Sequence, residues 1–89
     1  MSIQIIKKET RKATLLQIQG ETMEAAKSAL KAIRMAVELN SHAGRALAKE
    51  AFYRLNLCWY ALSGSDDEKT RHEAGKLKRE ALYMIARGV

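Results

Sequence analysis

Hydrophobic residues recur at steps of three and four through most of this chain, which is the spacing of amphipathic α helices. The first clear segment follows Gly20 and carries the apolar positions Met23, Ala26, Leu30, Ile33 and Val37. Beside them runs a row of small residues: Ala25, Ala29, Ala32 and Ala36. The pattern predicts a helix over about 21–39, ended by Asn40 and Ser41, whose small-residue face lets another helix approach closely.

The next segment is apolar on two sides. With Ser41 as its N-cap, a helix is predicted over about 43–62. One side carries Leu47, Ala51, Leu55, Cys58 and Leu62, and a separate stripe carries Ala46, Tyr53, Leu57 and Tyr60. A helix apolar on two sides is either central in its own bundle or shared with a partner. Since exposed tyrosine is a frequent interface anchor, we expect Tyr53, Leu57 and Tyr60 to bind a partner.

A third helix is predicted over about 66–86. Ser65 and Glu68 have the spacing of a capping box, in which the two side chains bond each other's backbone amides. The inner face of this helix carries Ala74, Leu77, Ala81, Met84 and Ile85, and Gly88 marks its end.

The N-terminal segment alternates in a different way. Ile3 and Ile5, then Leu16 and Ile18, are separated by polar positions, which is typical of half-buried strands. We therefore predict a β-hairpin over about 2–19 with a polar tip at 8–12. That tip has neither Gly nor Asn to mark a tight turn, and a helix through 8–19 is the alternative.

The predicted fold is mainly α. Residues 1–89 form a single domain, in which the hairpin at 2–19 precedes a bundle of three long antiparallel helices at 20–89. An 89-residue chain has little spare core with which to cover a second apolar stripe. We therefore expect a homodimer.

The chain offers little for catalysis. It lacks a glycine-rich phosphate loop, the HExxH zinc motif and a paired CxxC, and it has two histidines and one cysteine. Cys58 lies in an apolar stripe and is expected to be a core residue. His72 is one turn from Glu68, but no further ligand completes a metal set. We predict a non-enzymatic protein with no metal, no cofactor and no small-molecule substrate.

Net charge supplies a second functional hypothesis. The chain carries 16 Lys and Arg against 10 Asp and Glu, a net charge of +6. Four cations fall at the predicted hairpin tip: Lys7, Lys8, Arg11 and Lys12. Such a tip suits phosphate contacts, so the alternative function is nucleic-acid binding.

We expect no targeting signal in this chain. The longest apolar run, at 57–62, is far shorter than the ~20 residues that span a bilayer, and no apolar stretch resembles a signal peptide. We expect a cytoplasmic protein with no membrane partner. The leading hypothesis is a protein-interaction or regulatory accessory module that binds itself or another protein.

Overall fold

The structure, a computed structural model, describes residues 3–88, which form four α helices. These are α1 (Ile3–Ile18), α2 (Thr22–Glu38), α3 (His42–Ser63) and α4 (Glu68–Gly88). No strand occurs within 3–88. The predicted architecture of a hairpin and three helices is therefore wrong, because the hairpin region is a fourth helix. Ser2, where the hairpin was predicted to begin, lies outside the described residues.

Helix α1 forms because its buried positions follow helical spacing. Ile6, Thr10 and Ala13 are buried, whereas Ile3, Ile5 and Ile18, which suggested strands, are exposed. The Thr10 hydroxyl donates to the Ile6 carbonyl at 3.1 Å, and the Thr14 hydroxyl donates to the Thr10 carbonyl at 3.3 Å. Each threonine hydroxyl therefore has a hydrogen-bond partner within the helix, the carbonyl oxygen four residues earlier in the chain.

A Schellman motif ends α1. The Glu21 amide donates to the Leu16 carbonyl at 2.8 Å, and the Gly20 amide donates to the Gln17 carbonyl at 3.1 Å. Gly20 has φ +86°, the left-handed conformation that this motif needs and that glycine adopts without steric cost. Gly20 is therefore a helix stop, and not only a separator between a hairpin and a bundle.

Helix α2 is the centre of the fold. It contacts the other three helices, and α1 and α4 flank the α2–α3 pair without contacting each other in the described chain. The four alanines of its predicted small-residue face are all fully buried: Ala25, Ala29, Ala32 and Ala36. Two ion pairs tie its outer stripe to the flanking helices: Lys31 to Glu9 of α1 at 3.7 Å and Lys27 to Glu73 of α4 at 3.6 Å.

The α2–α3 connection is tight. Asn40 has φ +48° and its amide donates to the Val37 carbonyl, while the Ser41 hydroxyl accepts from the Gly44 amide at 3.0 Å. Ser41 is thus the N-cap of α3, as its position predicted. Gly44 lies against the end of α2, where an added Cβ would stand 2.5 Å from the Ala36 carbonyl oxygen.

The start of α4 differs from the predicted capping box. The Asp67 carboxylate accepts from the Lys69 amide at 3.3 Å and from the Thr70 hydroxyl at 2.7 Å, so Asp67 caps this helix. The Ser65 hydroxyl accepts from the Asp67 amide at 3.1 Å and so supports the cap. A carboxylate one residue before the helix reaches these donors more directly than Ser65 does.

Candidate interaction surfaces

The stripe predicted to bind a partner lies on the solvent side of α3. We call Ala46, Tyr53, Leu57 and Tyr60 the α3 outer face. Tyr53 is 59% exposed and Tyr60 is 71% exposed, with the half-buried Leu57 between them. Their spacings of four and three residues place them together, opposite the buried side of the helix. The structure brings the three predicted partner-binding residues onto one surface.

Both tyrosines contact the residue next to them in the chain. The Arg54 guanidinium stands 5.7 Å from the centre of the Tyr53 ring, and the Trp59 ring meets the Tyr60 ring edge-on with centroids 5.6 Å apart. Trp59 is half-buried, with the Lys78 ammonium of α4 at 3.5 Å from its ring centre. These contacts favour one orientation of each ring while leaving most of its surface free.

The cations predicted at a hairpin tip do not project from a tip. Lys7, Lys8, Arg11 and Lys12 lie on successive turns of α1 and are all exposed. Because a helix turns 100° per residue, they divide into two i, i+4 pairs. The four cations lie along a helix and not at a tip because residues 3–18 form α1 and not a hairpin.

One pair faces α3. Lys7 and Arg11 line a groove of about 430 Å³ between α1 and α3. From α3, Arg54 and Glu50 line the same groove, and Thr10 and Thr14 complete it. The sequence did not point to Arg54, because its proximity to Lys7 and Arg11 depends on how α1 packs against α3. We call this the α1–α3 groove.

The other pair faces away from the bundle. Lys8 and Lys12 line a depression together with Ile5 and Leu15, and these two aliphatic side chains are 53% and 54% exposed. Arg11 borders this depression as well, and so does Glu9, whose carboxylate forms the ion pair with Lys31 of α2. The outer side of α1 therefore mixes positive charge with exposed aliphatic side chains.

The remaining residues considered for chemistry include Cys58 and His42. Cys58 is fully buried, and burial raises the pKa of its thiol, although the Arg54 guanidinium opposes that rise. The His42 imidazole nitrogen Nδ1 lies 3.2 Å from the Arg45 guanidinium at an exposed corner. Within residues 3–88, no group of three or more His, Cys, Asp and Glu is placed to hold a metal ion.

No helix among the described residues is both long and apolar enough to cross a bilayer. Comparison with protein families, with curated proteins and with solved structures finds no match to this chain.

Proposed function

We propose that this protein is a non-enzymatic interaction module with a regulatory or accessory role, and that it forms a homodimer through the α3 outer face. The observation that supports this proposal is the pair of exposed tyrosines, Tyr53 and Tyr60, flanking Leu57 on one side of one helix. Rigid aromatic side chains contribute large contact area at low cost in conformational entropy, which is why they anchor interfaces.

The distribution of charge favours association with a second copy through this face over association through another face. The chain has a net charge of +6, so two copies repel each other wherever cations meet. The four residues of the α3 outer face are uncharged, whereas the exposed faces of α1 and α2 carry lysines and arginines. Self-association through α3 therefore brings fewer like charges together than association through α1 or α2, with Lys49 as the exposed lysine beside this face.

Shape favours the same arrangement. Ala46 and Tyr60 each lie seven residues from Tyr53, on either side of it. In an antiparallel pair of α3 helices related by a two-fold axis near Tyr53, Ala46 faces Tyr60 of the second copy. A small side chain opposite a large one lets the two helices pack closely without a void.

Light scattering coupled to size exclusion tests the homodimer. We expect the natural chain to elute as a dimer and the double variant Tyr53→Ser/Tyr60→Ser to elute as a monomer. Tyr83→Ser is a suitable control, because Tyr83 is 63% exposed on α4 and lies outside the α3 outer face. A strictly monomeric natural chain over the whole dilution series would contradict the proposal.

A second candidate function is nucleic-acid binding. It is favoured by the exposed cations of α1, Lys7, Lys8, Arg11 and Lys12, which line two adjoining surfaces. Binding of this kind is largely electrostatic, so it strengthens at low salt. A labelled oligonucleotide that shows no binding to the natural chain at about 50 mM salt would exclude this function.

A further inference from the structure

The α1–α3 groove gathers three cations from two helices. Lys7 and Arg11 come from α1, and Arg54 comes from the middle of α3. Glu50 is the one carboxylate in the lining, so the groove carries an excess of two positive charges. Like charges gathered in a groove raise the local concentration of anions, because the field of each cation adds to that of the others.

These cations are not neutralised by carboxylates of the fold. Lys27 and Lys31 of α2 form ion pairs with carboxylates of the neighbouring helices. In contrast, neither Lys7, Arg11 nor Arg54 forms an ion pair within the described chain, and Glu50 lies beyond ion-pair distance of all three. Three neighbouring cations without carboxylate partners repel one another, and a bound anion relieves that repulsion.

The other groove residues select for an anion. The Thr10 and Thr14 hydroxyls each donate their proton to a backbone carbonyl of α1, so neither has a proton left for a ligand. The side-chain donors of the groove are therefore Lys7, Arg11 and Arg54. Two guanidinium groups and an ammonium group match phosphate oxygens, since guanidinium binds them through paired hydrogen bonds.

We propose that the α1–α3 groove is a phosphate-binding site and that its ligand is the phosphodiester backbone of a nucleic acid. This inference rests on the second function proposed above, and it adds Arg54 to the contacts. A polymer is favoured because the positive surface continues beyond the groove to Lys8 and Lys12 on the outer side of α1. Successive phosphates can therefore meet successive cations.

The decisive comparison uses two triple variants with the same net charge. Lys7→Gln/Arg11→Gln/Arg54→Gln removes the groove cations, and Lys69→Gln/Lys76→Gln/Arg79→Gln removes three exposed cations of α4. Binding of a labelled single-stranded oligothymidylate is measured by fluorescence anisotropy over a range of salt concentrations. Circular dichroism melts verify that both variants fold, and single Gln variants replace a triple that does not.

We expect the groove variant to lose at least about tenfold in affinity at low salt and the α4 variant to lose about twofold or less. Each phosphate contact to a single strand contributes about 0.7 to the slope of log K against log salt, so the groove variant should reduce that slope by about 2. Equal losses of affinity in both variants would show that only overall charge matters. They would contradict the proposal that the groove is the phosphate-binding site.

Other sources of phosphate give different results. If pyrophosphate raises the melting temperature of the natural chain but no oligonucleotide binds, the groove is a small-anion site. That result would contradict the proposal that its ligand is a polymer. Binding to vesicles containing an anionic phospholipid, but not to the oligonucleotide, would likewise overturn it. If the natural chain binds no oligonucleotide, both the groove site and the nucleic-acid function are wrong. If the groove variant binds the oligonucleotide as tightly as the natural chain does, only the groove site is wrong.

Discussion

Gly44 shows how closely the backbones of two helices approach at the α2–α3 connection. It occupies the first turn of α3, and an added Cβ would stand 2.5 Å from the Ala36 carbonyl oxygen and 3.0 Å from the Leu39 Cβ. Neither atom belongs to a flexible side-chain end, so neither moves without shifting the backbone of α2. Alanine is favoured over glycine in a helix by about 1 kcal/mol, and this clash opposes that gain.

We expect Gly44→Ala to lower the free energy of unfolding by about 1–3 kcal/mol, the usual cost of overpacking. Urea denaturation followed by circular dichroism measures the change. Gly64→Ala is the matched control, because the nearest atom to its added Cβ is the Ala61 carbonyl oxygen at 3.8 Å. Equal stability of the Gly44 variant and the natural chain would show that α2 and α3 separate easily at this point.

Residue-level signals in the sequence located some of these positions and missed others. Ser41 is recognisable as an N-cap because its role depends on the three residues that follow it. Gly44 carries no such signal, since the atoms that exclude a Cβ belong to α2. The same limit applies to Arg54, whose place in the α1–α3 groove depends on a helix distant in sequence.

At the scale of an element, the N-terminus of α4 depends on one carboxylate. The hydrogen bond from the Thr70 hydroxyl is the main cause that lowers the pKa of Asp67, and desolvation opposes it. The backbone amides of Lys69 and Thr70 and the nearby Arg71 charge lower the pKa further, so the net shift is downward. The charged carboxylate is thus the form that caps the helix.

The direction of the pKa shift sets the pH dependence. A carboxyl group whose pKa is lowered in the folded state stabilises the fold above its unfolded pKa of 3.8 and loses that contribution as the pH falls through the lower folded value. We expect Asp67→Ala to be less stable than the natural chain at neutral pH. The difference should shrink as the pH falls below 3.8.

Thermal melts at several pH values measure this difference. Asp66→Ala serves as the control, because Asp66 is exposed and makes no hydrogen bond or ion pair in the described chain. A stability difference for Asp67→Ala that stays constant down to the most acidic pH would contradict the proposed cap.

Helix α1 is where the prediction from sequence failed. Its segment contains three isoleucines and two threonines in its first twelve residues, and β-branched residues favour strands locally. The doublets Ile5–Ile6 and Leu15–Leu16 satisfy a period of two and a period near 3.6 equally well, so alternation could not decide. Gly20 was the available signal, since a glycine after an apolar segment is a common helix C-terminus.

At the scale of the whole molecule, the fold is flat. The Cα atoms extend over 39 × 26 × 14 Å, because α1 and α4 lie on opposite sides of the α2–α3 pair. A flat bundle of this size leaves one side of every helix in contact with solvent. The outer side of α2 is charged, whereas that of α3 carries Tyr53 and Tyr60, so the faces of the molecule differ chemically.

Association through α3 makes thermal stability depend on concentration. A folded homodimer is favoured by mass action, so its melting temperature rises with protein concentration. We expect this rise for the natural chain and for Tyr83→Ser, and we expect it to disappear in Tyr53→Ser/Tyr60→Ser. Scanning calorimetry over a dilution series provides the measurement, and a concentration-independent melting temperature for the natural chain would contradict the homodimer.

The sequence by itself determined the helices that follow Gly20, within one or two residues at each end, and the separate apolar stripe on α3. Helical periodicity and capping residues are local properties, so they can be read along the chain. The sequence also shows the charged residues of α1, but it does not show which of them share a surface.

Only the tertiary structure decided the state of residues 3–18 and the composition of the α1–α3 groove. Ile6, Thr10 and Ala13 are buried because α1 packs against α2 and α3, and that burial selects a helix where local preference was divided. The same packing places Lys7 and Arg11 beside Arg54. Neighbours from different helices are set by how those helices pack, which no local pattern in the sequence contains.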